Sequence, residues 1–197
     1  MRKLLQPVAV VCGCLVSGML LAGEAVKKEV VYDGDKIGEN AKGWQAATEP
    51  NKATVAAQDK EVRTPGKKTM EFHAEGKDWM GIGWNWFGWW PADGGTDITN
   101  HKNLSFWAKV TGETKPTQLS VKLASNDKKG TETADLLKYC PDLMDGKWHE
   151  VVVPIKDLDT KNELTKTKVW EINFGTWSQD PVKFSLFVDE IGFDSRP

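Results

Sequence analysis

The chain has 197 residues, with 26 basic and 28 acidic side chains and a formal charge of −2. That length holds one ordinary domain and excludes a large multidomain enzyme. The balanced charge argues against a dedicated nucleic-acid binder, which needs a concentrated positive footprint. Hydrophobic residues make up 40% of the chain, enough for a packed core, and the composition stands out in its 10 Trp against 2 Tyr.

Arg2 and Lys3 precede an uncharged, apolar stretch from Leu4 to Gly23, with small residues at Ala22, Gly23 and Ala25. This is the pattern of a secretory signal peptide, expected over residues 1–23 and leaving a single domain over 24–197. A retained anchor is the alternative, because the stretch is about long enough to span a bilayer. Val11-Cys12-Gly13-Cys14 resembles a lipobox only in part. No second long apolar segment follows, so the mature chain is expected to lack a membrane span. Its expected location is the periplasm, the cell surface or the medium. Cleavage after residue 23 removes Arg2, Lys3, Cys12 and Cys14, taking the formal charge from −2 to −4 and leaving Cys140 alone. No intramolecular disulfide and no cysteine-ligated metal site is then possible.

The rest reads as strands. Lys28–Tyr32 is a β-branched run closed by a turn at Asp33-Gly34-Asp35. Residues 36–66 predict loops with one or two short strands. Thr69–His73 alternates and is expected to turn at Gly76-Lys77-Asp78, before an aromatic strand over Trp79–Phe87. Leu104–Val110 and Gln118–Ala124 alternate apolar with polar, the period of half-buried strands. Thr133–Tyr139 and Ile155–Leu158 predict short helical turns. Trp148–Val153 is a strand ended by Pro154, and Val169–Phe174 and Phe184–Ile191 are the last strands. Eight or more strands with turn signals and no long helical stripe predict an all-β fold: a β-sandwich or jelly roll of two antiparallel sheets.

No phosphate-binding loop, GxSxG or HExxH motif is present, and the spacing of His73, His101 and His149 does not favour a zinc site. The tryptophans carry the functional reading. Trp79, Trp84, Trp86, Trp89 and Trp90 lie within twelve residues. If the segment is extended, Met80, Ile82, Trp84 and Trp86 share a core face. Gly81, Gly83, Asn85 and Phe87 share the other, and glycine on a strand face leaves room for something to approach the backbone. Trp89 and Trp90 cannot both point inward in a regular strand. The same parity places Trp107, Lys109, Lys122, Glu171 and Asn173 on outer faces, while Trp177 falls in a turn-rich stretch over Gly175–Pro181. Trp44, Trp79, Trp148 and Trp170 are assigned to the core. Indole rings stack on the apolar faces of sugars, and amides and charges take the hydroxyls. The candidate ligand-binding set is therefore Asn85, Phe87, Trp89, Trp90, Trp107, Lys122, Glu171, Asn173 and Trp177. The turn acids Asp33 and Asp35, with Asp189 of the last strand, form a candidate structural calcium site pinning the chain ends.

Four segments resemble the galactose-binding-like jelly rolls. They are Leu104-Ser105-Phe106-Trp107-Ala108-Lys109, Leu119-Ser120-Val121-Lys122-Leu123, Asp145-Gly146-Lys147-Trp148-His149-Glu150-Val151-Val152-Val153-Pro154 and Phe187-Val188-Asp189-Glu190-Ile191. That group includes carbohydrate-binding modules attached to bacterial polysaccharide-degrading enzymes. The resemblance covers roughly residues 28–193 and implies oligo- or polysaccharide binding, with a structural calcium near the chain ends. The leading function is non-catalytic glycan binding by an exported module. The alternatives are a structural or protein-interaction module of the cell envelope, partnered by envelope proteins, and an uncharacterised glycan hydrolase or lyase.

Overall fold

The computed structural model describes residues 28–33, 42–88 and 94–197. Nine strands run through them: β1 (Glu29–Tyr32), β2 (Lys42–Ala47), β3 (Lys52–Gln58), β4 (Thr69–Asn85), β5 (Asn103–Thr114), β6 (Leu119–Ser125), β7 (Ala134–Asp135), β8 (His149–Pro154) and β9 (Val169–Asp194). The helical parts are short: 3-10 turns at Leu136–Lys138, Pro141–Asp145 and Lys166–Lys168, and one α-turn, α1 (Ile155–Leu158). No helix among the described residues is long and apolar enough to cross a membrane.

β4 and β9 organise the molecule. Each is long enough to belong to both layers of the sandwich, and they pair antiparallel along nearly all of β4. The first sheet is ordered β2, β4, β9, β6, β7 and uses the C-terminal half of β4 with the N-terminal half of β9. The second is ordered β3, β4, β9, β5, β8 and uses the opposite halves. β1 continues the second sheet beside Ile191–Phe193.

The expected turn at Gly76-Lys77-Asp78 is a bulge inside β4, where the register with β9 slips. Gly76 (φ 138°) and Asp78 (φ 64°) take left-handed backbone there, and Asn51 Oδ1 accepts the Lys77 N–H at 3.0 Å. A Cβ on Gly76 would run into the Asn51 side chain. Such a bulge bends a strand without ending its pairing, so the chain passes from one sheet to the other. The expected loop over Gly175–Pro181 is likewise continuous strand, bent at the same level.

Alternation fills the space between the sheets. Met80, Ile82, Leu119, Val121, Leu123, Ile172 and Phe174 point in from the first, and Met70, Phe72, Leu104, Phe106, Val151, Phe184 and Leu186 from the second. Phe106 meets Phe174 edge-to-face across the layers at 5.5 Å. Cys140 is buried and unbridged, and burial pushes its thiol up, away from the reactive thiolate.

Candidate functional site

The outer face of the first sheet is floored by glycine. Gly81 and Gly83 on β4 alternate with the buried Met80, Ile82 and Trp84, and Gly175 on β9 follows the buried Phe174. They therefore present bare backbone on the side away from the core. Two indoles occupy that bare strip. Trp44 of β2 pairs with Gly83 and lies across it, where a Cβ on Gly83 would overlap the pyrrole edge of the ring. Its Nε1–H donates to Glu171 Oε2 at 3.1 Å. Trp79 folds over Gly81, its Cζ2 standing 2.7 Å from where a Cβ would be. Gly81 and Gly83 are two residues apart, about 7 Å along the strand. The two rings thus follow one another along the strip.

Trp79 pairs directly with Trp177 of β9, and the two are the most exposed large apolar side chains of the described residues, at 49% and 47%. Two adjoining cavities, of about 200 and 370 Å³, extend from this strip, and both are bordered by Trp44 and Lys122. Asn173 lines the smaller one, paired with Lys122 on β6 and Gly83 on β4. It is 5% exposed, and neither its Nδ2 nor its Oδ1 has a hydrogen-bond partner among the described residues. A buried amide left so costs about 1–3 kcal/mol. Glu171, also buried, accepts from Trp44 and, at 3.4 Å, from Asn85 Nδ2. Asn85 Oδ1 is a further buried acceptor without a donor among the described residues. Among the described residues Glu171 is the one carboxylate lining either cavity, whereas glycoside hydrolysis ordinarily uses a facing pair.

The fold brings together Asn85, Lys122, Glu171, Asn173 and Trp177 from the candidate set. Phe87 lies beyond the end of β4, exposed and lining neither cavity. Trp89 and Trp90 lie outside the described residues. Trp107 belongs elsewhere: β5 is in the second sheet, and Trp107 sits on that sheet's outer face under Arg63, whose guanidinium carbon is 4.8 Å from the ring centre. Trp44 and Trp79, assigned to the core from sequence, are the groove's two flat walls. Trp79 is in phase with Gly81 and Gly83 rather than with Met80, and that parity was the available signal. Trp170 is buried and Trp148 partly buried.

At the chain ends, Asp35 lies outside the described residues. Asp189 is buried and stands 3.5 Å from Arg63 Nε, and Arg63 also pairs with Glu190. Burial pushes the Asp189 carboxyl up, against the pull of Arg63. Tyr32 is buried beside Asp189 and Asp33, and burial together with those two carboxylates raises its hydroxyl. Among the described residues no group of three or more His, Cys, Asp or Glu side chains is arranged to hold a metal. Arg63 already supplies the positive charge that faces Asp189.

The same architecture occurs in solved carbohydrate-binding modules. The family 30 module of the cellulosomal cellulase Cel9D-Cel44B of Clostridium thermocellum is 16% identical, with a TM-score of 0.63 over 86% of this chain and 98% of that one. A family 11 module from Clostridium thermocellum, solved with a β-1,3-1,4-mixed-linked tetrasaccharide, is 14% identical, with a TM-score of 0.56 over 87% and 97%. A β-1,2-glucanase from Parabacteroides distasonis is 17% identical, with a TM-score of 0.58 over 84% of this chain and 24% of that one. At these identities the likeness is one of fold. No curated protein sequence matches the chain. Residues 30–195 match carbohydrate binding domain 30, and the chain belongs to that family.

Proposed function

We propose that the glycine-floored groove of the first sheet is where this chain binds a linear β-linked glucan, without catalysis. The observation that carries the reading is the indole strip: Trp79 and Trp177 are paired and half exposed beside Trp44, and beneath them lies the buried amide of Asn173, unpartnered among the described residues. Folding leaves such a group unsatisfied only at a cost, and a shift of the side chains over it on binding lets sugar hydroxyls supply the donor and the acceptor it lacks. Trp44 and Trp79 supply flat apolar surface for the C–H faces of successive sugars, and Trp177 extends it. Each exposed indole contributes about 1–2 kcal/mol, which sets micromolar to millimolar affinity. Lys122 and Glu171 fix the orientation, with Asn85 holding Glu171 in place. The tetrasaccharide in the family 11 module makes mixed-linked β-glucan the first ligand to try.

Intrinsic tryptophan fluorescence, titrated with mixed-linked β-glucan, xylan and mannan, tests the proposal. A saturable shift with one of these polymers supports it, provided Trp79→Ala weakens the response ten- to thirtyfold and leaves the melting temperature in place. No response from a folded chain to any of them, or full affinity in Trp79→Ala, overturns it.

Export through the apolar leader of residues 1–23 belongs to the same reading, since a polysaccharide binder meets its ligand outside the cell. The structural calcium of the chain ends is proposed on narrower ground, with Asp33 and Asp35 as its ligands and Asp189 left to Arg63. A fall in melting temperature on chelation, restored by calcium, supports it. An unchanged melting temperature removes it.

A further inference from the structure

The groove has two chemically different halves. The smaller cavity is lined by neutral groups beyond Trp44 and Lys122: Trp79, Ser120, Thr133, Asn173 and Gly175 among them. The larger is lined by three lysines, Lys122, Lys128 and Lys129, with Glu171 as the only acid among the described residues. Glu171 is held at the floor by Trp44 and Asn85 and makes no ion pair among the described residues. Lys122 is exposed and makes no ion pair among the described residues. Lys129 stands 3.6 Å from Asp127 and is 57% exposed, while that carboxylate already accepts hydrogen bonds from Ser125 and Thr165. Lys122 thus faces the cavity with no carboxylate partner among the described residues, and Lys129 shares its carboxylate with two hydroxyls. The whole chain, by contrast, carries a formal charge of −2, so its long-range field repels an anion.

We infer that the lysine-lined half of the groove is a subsite for an acidic sugar or an anionic substituent carried on the glucan chain. The inference rests on the glycan reading above and adds to it the charge of the preferred ligand. A carboxylate seated beside Lys122 gains one or two exposed ion pairs, which together tighten binding about five- to tenfold at low salt. Screening removes most of that gain at high ionic strength.

The test compares two probes with one backbone: mixed-linked β-glucan, and the same polymer with part of its C6 hydroxyls oxidised to carboxylates. Affinity of the chain for each is measured by titration calorimetry in about 20 mM and about 0.5 M salt. The readout is the ratio of the two affinities. The expected ratio is five to ten in low salt, falling toward one in high salt and in the Lys122→Gln/Lys129→Gln double variant. A ratio of one or less, with the neutral polymer still bound, overturns the acidic subsite and leaves the glycan reading standing. A high ratio that survives in the double variant overturns the assignment to these lysines. Failure to bind either polymer overturns the inference together with the reading beneath it.

Discussion

The two outer faces of the sandwich carry the same kinds of residue and use them in opposite ways. Each has tryptophan, an acid and a lysine on neighbouring strands. On the second sheet the segment between β3 and β4 lies over them. Arg63 covers Trp107 and pairs with Asp189 and Glu190, Glu61 takes Lys109 Nζ at 2.7 Å, and Phe187 is buried although it points away from the core. On the first sheet no described segment takes that place. Trp79 and Trp177 stay half exposed, and Asn173 and Asn85 keep polar atoms unpartnered among the described residues. One face has been finished by the chain itself, and the other presents the same chemistry to a ligand. Residue type alone does not distinguish a binding platform from a capped surface; what lies above it does.

The largest effect should come from opening the finished face. Arg63→Gln leaves the Asp189 carboxylate buried without its cation, which costs about 3–5 kcal/mol when a fully buried pair is broken. Arg63 is partly exposed, so a loss of about 2–3 kcal/mol is expected, a fall of roughly 5–10 °C in melting temperature. Glucan affinity should hold, because Trp107 is outside the groove, and iodide should now quench one more indole. A loss of binding with stability intact would place Trp107 back among the ligand contacts.

The converse holds on the first sheet. Asn173→Ala removes two unsatisfied atoms, so folding stability should stay within about 0.5 kcal/mol or rise. Glucan affinity should fall at least tenfold, as read by calorimetry. Gly83→Ala probes the floor one step removed from the ligand. Its methyl displaces the Trp44 ring and breaks the bond from Nε1 to Glu171, so affinity should drop about three- to tenfold. Retained affinity in Gly83→Ala would show that Trp44 needs no fixed seat.

Much of this was legible in the sequence. Period-two alternation gave the strands that pack the core and put Asn85, Lys122, Glu171 and Asn173 outward, where the structure has them. What alternation does not contain is the sheet to which a strand belongs. Trp107 and Lys122 are both outward on neighbouring strands in sequence, yet β5 and β6 lie in different layers, so one faces Arg63 and the other the groove. The bulge at Gly76–Asp78 was equally hidden, because a polar glycine triplet reads as a turn whether the strand ends there or bends. Trp79 was misassigned for a simpler reason. Tryptophan defaults to the core, and here the two glycines in phase with it outweigh that default.

The smallest expected effect tests whether the second sheet's satisfied polar groups also hold it against acid. Asp194 closes β9 between Arg196, which donates to it through Nε at 2.9 Å, and Asn103 Nδ2 at 3.1 Å. Burial alone would raise its carboxyl, but these hydrogen bonds outweigh burial and hold it well below the usual carboxylate range. A depressed folded-state value stabilises the fold at neutral pH. The contribution is complete above the unfolded value, near 4, and is lost as pH falls below it toward the folded one. Asp194→Asn keeps the shape and removes the charge, so it should cost about 1 kcal/mol at pH 7 and little at pH 2. The wild type and variant stability curves should therefore converge on acidification. Parallel curves would mean that Asp194 acts through packing, and that the contrast between the two faces lies in cover alone and not in how their charges are met.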